Sequence, residues 1–337
     1  MAGSYRILAI LPLRGLASTG RLGVMNMRAI QQTEYGDPEV LKEVELPRPE
    51  PGVSEILVAV RAAGVNPTDW KHRTGSGFLK RLPLTLGWDV SGVVEAVGYG
   101  VTLFKPGDEV FGMLPYPNGA GSHAEYVTGP ARAFARKPQG VDHVQAGAIP
   151  LAALTAYQCL VDTADVQPGQ RVLIHAAAGG VGHLAVQIAK ARGAYVIGTA
   201  SAGKHGFLRE IGVDEPIDYR ETDFAEAVGD VDVVLDPIAG DTRTRSIDVL
   251  RKGGVLVSLL PGSEGDLEKA AERGVRAEVL LVEHDHGGMR AIADLVEAGK
   301  LRAHIEDDAV YPLARAAEAH ARGEQNRTTG KLVLKVG

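Results

Sequence analysis

The residue types best suited to chemistry stand together at 176–182. Residues 171–175 read as a strand, because Val172, Leu173 and Ile174 form the continuous apolar run of a strand buried on both faces. Ala176-Ala177-Ala178-Gly179-Gly180-Val181-Gly182 then reads as a turn, and Val181, Leu184, Ala185, Ile188 and Ala189 recur at helical spacing. Against the dinucleotide fingerprint G-x-G-x-x-G, the turn is A-x-G-x-x-G from Ala177 to Gly182. Gly179 lets the backbone approach a pyrophosphate, and Gly182 permits close packing of helix on strand. The N–H groups and dipole of the helix start favour the phosphate charge. Ala178, Gly179, Gly180, Val181 and Gly182 are therefore the candidate phosphate contacts. A tight turn with no ligand is the competing reading, and the strand before with the helix after favours the dinucleotide.

The end of the next strand bears on which dinucleotide. A site for NAD usually places Asp or Glu there, to bind the ribose 2′-OH. Gly198-Thr199-Ala200-Ser201-Ala202-Gly203-Lys204 contains no acid. Ser201 supplies a hydrogen bond, Lys204 a cation suited to a 2′-phosphate, and Tyr219, ending the third strand, is within reach of the same pocket. These residues predict NADPH rather than NADH. The alternative for Lys204 is a solvated lysine at a helix start.

Other chemistry finds little support. His72, His123, His284 and His286 are scattered, and in His284-Asp285-His286 only the two histidines could converge if the segment were extended. No third ligand is placed near them, so no metal site is expected. No Ser-His-Asp order and no nucleophile elbow is present. Cys159, the single cysteine, excludes intrachain disulfides and multi-cysteine zinc sites, and lies in an apolar helical stretch as a core residue.

The elements that must position these residues follow from pattern. At 337 residues, with 45% hydrophobic and 23% charged, the chain has room for about two domains of roughly 150 residues and an ordinary core. Net charge −6 argues against a nucleic-acid partner, and the lack of about 18 consecutive apolar residues argues against a membrane span. Residues 1–26 read as a loose extension, with a secretory signal a weak alternative, and a reducing cytoplasm suits the single cysteine. Short β-rich runs at 56–62, 90–97, 109–113 and 124–127, separated by Gly and Pro turns, suggest a barrel or sandwich. From residue 171 onward strand and helix alternate, with further strands at 195–197, 216–219, 231–235, 255–259 and 279–282, which implies right-handed βαβ units on a parallel sheet. One more helix at 288–298 and a strand at 331–336 close the chain.

Several segments together resemble the zinc-free quinone oxidoreductase branch of the medium-chain dehydrogenase/reductase superfamily. They are Ala63-Gly64-Val65-Asn66-Pro67-Thr68-Asp69, Leu86-Gly87-Trp88-Asp89-Val90-Ser91-Gly92, Lys105-Pro106-Gly107-Asp108-Glu109-Val110, Ala153-Leu154-Thr155-Ala156-Tyr157, the glycine loop, Ile217-Asp218-Tyr219-Arg220 and Thr329-Gly330-Lys331-Leu332-Val333-Leu334. The resemblance spans residue 27 to the C-terminus. It implies an α/β fold in which a Rossmann doubly wound parallel sheet, residues 151–283, is inserted into a GroES-like β-barrel catalytic domain, residues 27–150 and 284–337. It also implies a homodimer.

Where zinc relatives carry catalytic ligands, this chain has Asn66 in place of the cysteine, Trp88 in place of the histidine with Asp89 beside it, and Leu151 near the third position. The structural zinc lobe is absent from the sequence. Family resemblance puts Asn66 and Thr155 near the nicotinamide, and adds Leu259 and Lys331 to the cofactor contacts. Helix back-bonding is the alternative role for Thr155, and Trp88 would look the same as a core residue. Asp69 reads as a structural turn acid. Lys71 stands where relatives often have an aromatic hydroxyl, so Lys71, Tyr116 and solvent remain open as proton donor. Together these imply an NADPH-dependent, zinc-independent reductase of quinones or α,β-unsaturated carbonyls. The alternatives are an enoyl or ketone reductase of a biosynthetic pathway, and an NADPH-binding sensor of low turnover.

Overall fold

The computed structural model describes residues 25–337. Residues 1–24 of the expected loose extension lie outside the described residues. Asn26 pairs with Pro47 in a sheet and the Arg48 N–H donates to the Met25 carbonyl.

Six parallel strands form one sheet in the order Glu215–Asp218, Tyr195–Ala200, Arg171–Ile174, Val231–Asp236, Leu250–Ser258, Arg276–Val279. This is the order 3-2-1-4-5-6 of dinucleotide-binding folds, whose crevice opens at the carboxyl ends where the order reverses. Here the reversal falls beside Arg171–Ile174, the strand feeding the glycine loop. Apolar side chains cover both faces. Val172, Ile174 and Val196 join the main core, while Leu173, Ile197 and Leu256 belong to a second cluster.

The rest of the described chain builds two layers that are antiparallel except where Val310–Pro312 runs parallel to Leu332–Lys335. A seven-stranded sheet is centred on Glu55–Val65, which pairs with Asp89–Val97, Tyr126–Pro130 and Leu332–Lys335. A three-stranded sheet, Lys42–Pro47, Asn26–Gln32 and Leu84–Thr85, is joined to it by a bridge between Ala29 and Ala124. The expected barrel needs correction on one point. Among the described residues strand pairing does not close into a ring, for Val310–Pro312 and Phe134–Arg136 remain edges of the seven-stranded sheet. Helices His143–Gly147 and Pro150–Tyr157 lead from the antiparallel layers into the parallel sheet, and His286–Glu297 leads back. A second late helix, Ala316–Glu324, was not expected. Four of its nine residues are Ala, and it has no strong apolar stripe. Cys159 lies in a π-helical continuation, Gln158–Thr163, and is fully buried. Among the described residues no helix is long and apolar enough to cross a membrane.

Close packing at the glycine loop dictates residue type. Ala176 holds φ 48°, and a Cβ on Gly182 would stand 2.3 Å from its carbonyl oxygen. Gly203, by contrast, has nothing within 4 Å of an added Cβ. Gly182→Ala should therefore destabilise by about 1–3 kcal/mol through overpacking, whereas Gly203→Ala should be neutral or slightly stabilising. Melting curves of the two variants check this, and equal shifts would contradict it.

Buried histidines make stability depend on pH, His320 among them, which burial holds well below its ordinary value. Burial lowers His123, His175 and His183 from 6.5 to about 4. The unfolded chain takes up these protons near pH 6.5 and the fold does not, so each site loses about 1.4 kcal/mol of stability per unit as pH falls from 6.5 toward 4. Asp69 works oppositely, because burial pushes it up to about 7 and the fold takes its proton before the unfolded chain does. The histidines outweigh this one acid, so Tm should fall by several degrees between pH 7 and pH 5. A flat or rising Tm over that interval would show that these imidazoles are not held neutral.

Candidate active site

The Glu55–Val65 strand ends at Asn66, which starts the helix Pro67–Arg73. Asp69 in the first turn accepts the Asn66 N–H at 2.7 Å with one oxygen and the Gly87 N–H at 3.1 Å with the other. It thereby ties the helix start to the turn before Trp88, as a structural acid would. Asp89, two residues past Gly87, opens the next strand with its carboxylate fully buried. One oxygen accepts the Leu151 N–H at 2.5 Å, at the start of the Pro150–Tyr157 helix where negative charge is favoured. The other accepts Asn66 Nδ2–H at 2.8 Å. Gly64 makes room for this carboxylate, since a Cβ there would stand 2.3 Å from Asp89 Oδ2.

Into this cluster comes Lys331, 2% exposed. Its ammonium donates to Asn66 Oδ1 and to the Val65 carbonyl at 3.3 Å, and lies 3.5 Å from Asp89 Oδ2. Burial lowers the lysine pKa, and the charges of Asp89 and Asp69 oppose that shift. Asn66, Asp89 and Lys331 are thus brought together in one buried network.

The other catalytic candidates lie apart from that network. Thr155 Oγ1 donates back to the Leu151 carbonyl at 2.7 Å, which is the helix back-bonding reading. Lys71 is exposed on the Pro67–Arg73 helix. Tyr116 sits edge-on to Trp88, ring centroids 5.4 Å apart, with its hydroxyl 3.0 Å from Thr68 Oγ1. Trp88 is fully buried and donates its indole N–H to the Pro117 carbonyl at 3.2 Å. Tyr116 therefore has a hydroxyl partner and half-exposed surroundings, and Lys71 has neither.

The glycine loop lies against the same C-terminal segment. The Gly330 N–H donates to the Ala178 carbonyl at 2.9 Å, and a Cβ on Gly180 would approach Lys331 Cδ at 3.5 Å. His183, in the first turn of the Gly182–Ala191 helix, donates Nδ1–H to the Gly179 carbonyl at 2.8 Å and accepts the His304 N–H on Nε2 at 3.1 Å. That helix start has no side-chain cap at Val181. Uncapped N–H groups with glycine at 179, 180 and 182 form the cradle a pyrophosphate needs, so the loop fits the dinucleotide that the sequence implies. His175 braces it from behind, with Thr199 Oγ1 at 3.2 Å and Ser246 Oγ at 2.9 Å.

Ser201, Lys204 and Tyr219 gather around the ends of two neighbouring strands, with Ala200 paired to Asp218. Tyr219 is exposed with the Arg220 guanidinium 5.7 Å over its ring. Lys204 Nζ donates to the carbonyls of Arg327 at 3.0 Å and Thr328 at 3.2 Å, so it is a bridging lysine rather than a freely solvated one. Leu259, half-buried, donates its N–H to the Asp236 carbonyl at 3.0 Å beyond the fifth strand. The sequence reading overlooked Asp218, which accepts the N–H groups of Ala202 and Arg220, both at 3.0 Å, and so shapes the loop. It also overlooked Asp236 and His183. An acid ending a strand before a turn, at both 218 and 236, was the available signal.

Among the described residues no group of three or more His, Cys, Asp or Glu is arranged for a metal ion. Asp285 instead caps the His286–Glu297 helix, and His286 Nδ1 donates to the Phe134 carbonyl at 2.7 Å.

Comparison with known proteins places this geometry. Residues 52–139 match the alcohol dehydrogenase GroES-like domain family and residues 211–334 the zinc-binding dehydrogenase family. A quinone oxidoreductase of Sus scrofa is 34% identical over 327 residues, covering 91% of this chain and 97% of its own length. A solved quinone oxidoreductase from Coxiella burnetii superposes with a TM-score of 0.87 at 39% identity, covering 93% of this chain and 100% of that one. The quinone oxidoreductase of Escherichia coli, solved in complex with NADPH, gives 0.82 at 31% identity, covering 91% and 99%. With its dinucleotide-type sheet, glycine loop and buried Asn66 network, the chain belongs to the quinone oxidoreductase branch of the medium-chain dehydrogenase/reductase superfamily and is an oxidoreductase with a nicotinamide cofactor.

Proposed function

We propose that the chain is an NADPH-dependent, zinc-independent reductase of quinones and α,β-unsaturated carbonyls. One observation carries the reading: around Asp89, where zinc relatives place ligands, stand Asn66, Trp88 and Leu151, and the cation held there is the Lys331 ammonium. Asn66 engages its carboxamide with Asp89 and Lys331, Trp88 turns its N–H to Pro117, and Leu151 has no donor atom to offer. A catalytic zinc site needs three protein ligands converging with an open position, and these side chains do not supply them.

Bound in the cleft, the reduced nicotinamide supplies a hydride. Ala178, Gly179, Gly180, Val181 and Gly182 would hold its pyrophosphate, and Ser201, Lys204 and Tyr219 the 2′-phosphate end. Leu259 and Lys331 would flank the remainder, with Asn66 and Thr155 at the nicotinamide. Without a Lewis acid, a simple ketone lacks the polarisation that would draw hydride to its carbonyl carbon. A conjugated acceptor spreads the arriving electrons into its own carbonyl and asks less of the protein. The Escherichia coli relative solved with NADPH supports the cofactor choice. Protonation falls to Tyr116, whose hydroxyl partner is Thr68, or to solvent.

The same reading divides the chain into an extension ending before Asn26, a catalytic domain made of residues up to 150 and from 284, and a dinucleotide-binding domain of residues 151–283. A reducing cytoplasm suits the buried thiol of Cys159, and family resemblance implies a homodimer.

With NADPH and a chelator present, kcat/KM for but-3-en-2-one should exceed that for butan-2-one by about 100-fold or more, since a missing Lewis acid forfeits several kcal/mol. Comparable values for the two acceptors, or loss of enone turnover with the chelator, would defeat the zinc-free reading. At the other end of the cleft, Lys204→Ala should raise the Kd of NADPH about tenfold, the value of one charge-assisted hydrogen bond on a partly exposed rim. The Kd of NADH should hardly change. Titration of both cofactors checks this, and a parallel loss of both would move the 2′-phosphate elsewhere.

A further inference from the structure

A carbonyl oxygen that gains charge during reduction needs a preorganised donor. The Asn66 carboxamide is held from both ends in a way that leaves one. Lys331 Nζ only donates, and it sits on Oδ1. The Asp89 carboxylate only accepts, and it takes Nδ2–H at 2.8 Å. Donor and acceptor character therefore fix which end of the amide is oxygen and which is nitrogen. A cation at the oxygen and an anion at the nitrogen polarise the amide in the same sense. Of the two hydrogens on Nδ2, one remains for a further acceptor.

The clamp also stands at the right place. Lys331 belongs to the segment whose Gly330 N–H is tied to Ala178 in the glycine loop, and its stem passes close to Gly180. Its own N–H donates to the His304 carbonyl at 2.9 Å, so the backbone behind the side chain is anchored. Asp89 is anchored as well, through the Leu151 N–H.

We propose that Lys331 is a positioning residue: together with Asp89 it clamps the Asn66 carboxamide so that the remaining Nδ2–H holds the carbonyl oxygen of a conjugated acceptor. This rests on the enone and quinone reading above. In that reaction the acceptor takes hydride at its β-carbon with oxidation of the nicotinamide. The alkene pair becomes a bond between Cα and the carbonyl carbon and the carbonyl pair moves onto oxygen; a proton from Tyr116 or solvent then adds at Cα as the carbonyl re-forms. The Asn66 N–H is the donor that strengthens as the oxygen becomes an enolate. Lys331 acts through Asn66.

A double-mutant cycle on the NADPH-loaded protein tests this. Lys331→Met should lower kcat for but-3-en-2-one about 10- to 100-fold at saturating NADPH, the worth of one hydrogen bond to a charged group. Adding Lys331→Met to Asn66→Ala should cost nothing further, because residues acting as one unit are not additive. The crystal structure of the Lys331→Met protein should show the amide swung away from Asp89. Lys331→Arg keeps the charge, and should retain the amide's orientation with intermediate turnover even if Lys331→Met fails to fold. Multiplicative losses in the double variant overturn the proposal, as does a rise in the Kd of NADPH with kcat unchanged. An unmoved Asn66 beside a wild type that reduces the enone overturns the clamp alone. A wild type that reduces neither but-3-en-2-one nor 1,4-benzoquinone overturns the reading of the function, and the carbonyl role with it, whatever the crystal structure shows.

Discussion

An ammonium group taken out of water must find acceptors or lose its charge, and breaking a buried charge network costs several kcal/mol. Lys331 is in that position, and its acceptors come from distant stretches of chain: the end of the central strand at Val65 and Asn66, and the start of the next at Asp89. Much of the architecture follows from bringing these groups together. The last strand must run beside Glu55–Val65, residue 64 must be glycine to admit the Asp89 carboxylate, and the Pro150–Tyr157 helix must begin against that carboxylate. The segment delivering the lysine also docks on the glycine loop through Gly330. The two halves of the molecule therefore meet at one buried charge, beside the place where a nicotinamide cofactor is implied.

Elements set by local periodicity were legible in the sequence. The continuous apolar run Val172-Leu173-Ile174, followed by glycines and a helical pattern, is a strand–turn–helix signal within about fifteen residues, and the structure forms it as Arg171–Ile174 and Gly182–Ala191. Glu109–Met113 falls on its expected bounds, and the strands from residue 195 to 279 lie within a few residues of theirs. Closure of the antiparallel layers was not legible, because strand pairing depends on partners far apart in the chain. Asn66 and Lys331 are separated by 265 positions. Nothing local to either announces the other. The helix Ala316–Glu324 was missed for a related reason: it is held by packing against Pro67–Arg73 and Leu332–Lys335 and not by a strong apolar stripe of its own.

The candidate site divides along the same line. Residue types pointed to the glycine loop and family resemblance to Asn66 and Lys331, and the structure sets the three side by side. Types alone could not say that Thr155 turns its hydroxyl back on Leu151, that Lys71 faces solvent, or that Lys204 bridges to Arg327 and Thr328. In each case the side chain has a choice of partners, and tertiary neighbours make the choice. The carboxylates missed at first, Asp218 and Asp236, share a simpler physics. Each ends a parallel strand and accepts N–H groups of the turn that follows, and Asp218 also takes the Ala202 N–H from the loop after the neighbouring strand.

The central claim is that electrons enter a conjugated acceptor at its β-carbon, without a metal to draw them to the carbonyl. Following the transferred hydrogen tests it most directly. Turnover of but-3-en-2-one with NADPH carrying deuterium at C4, read by NMR of the product, should place the label on the carbon β to an intact ketone, with solvent hydrogen at the α-carbon. Label on the carbinol carbon of an allylic alcohol would mean that the carbonyl itself is the electrophile, and would contradict the account.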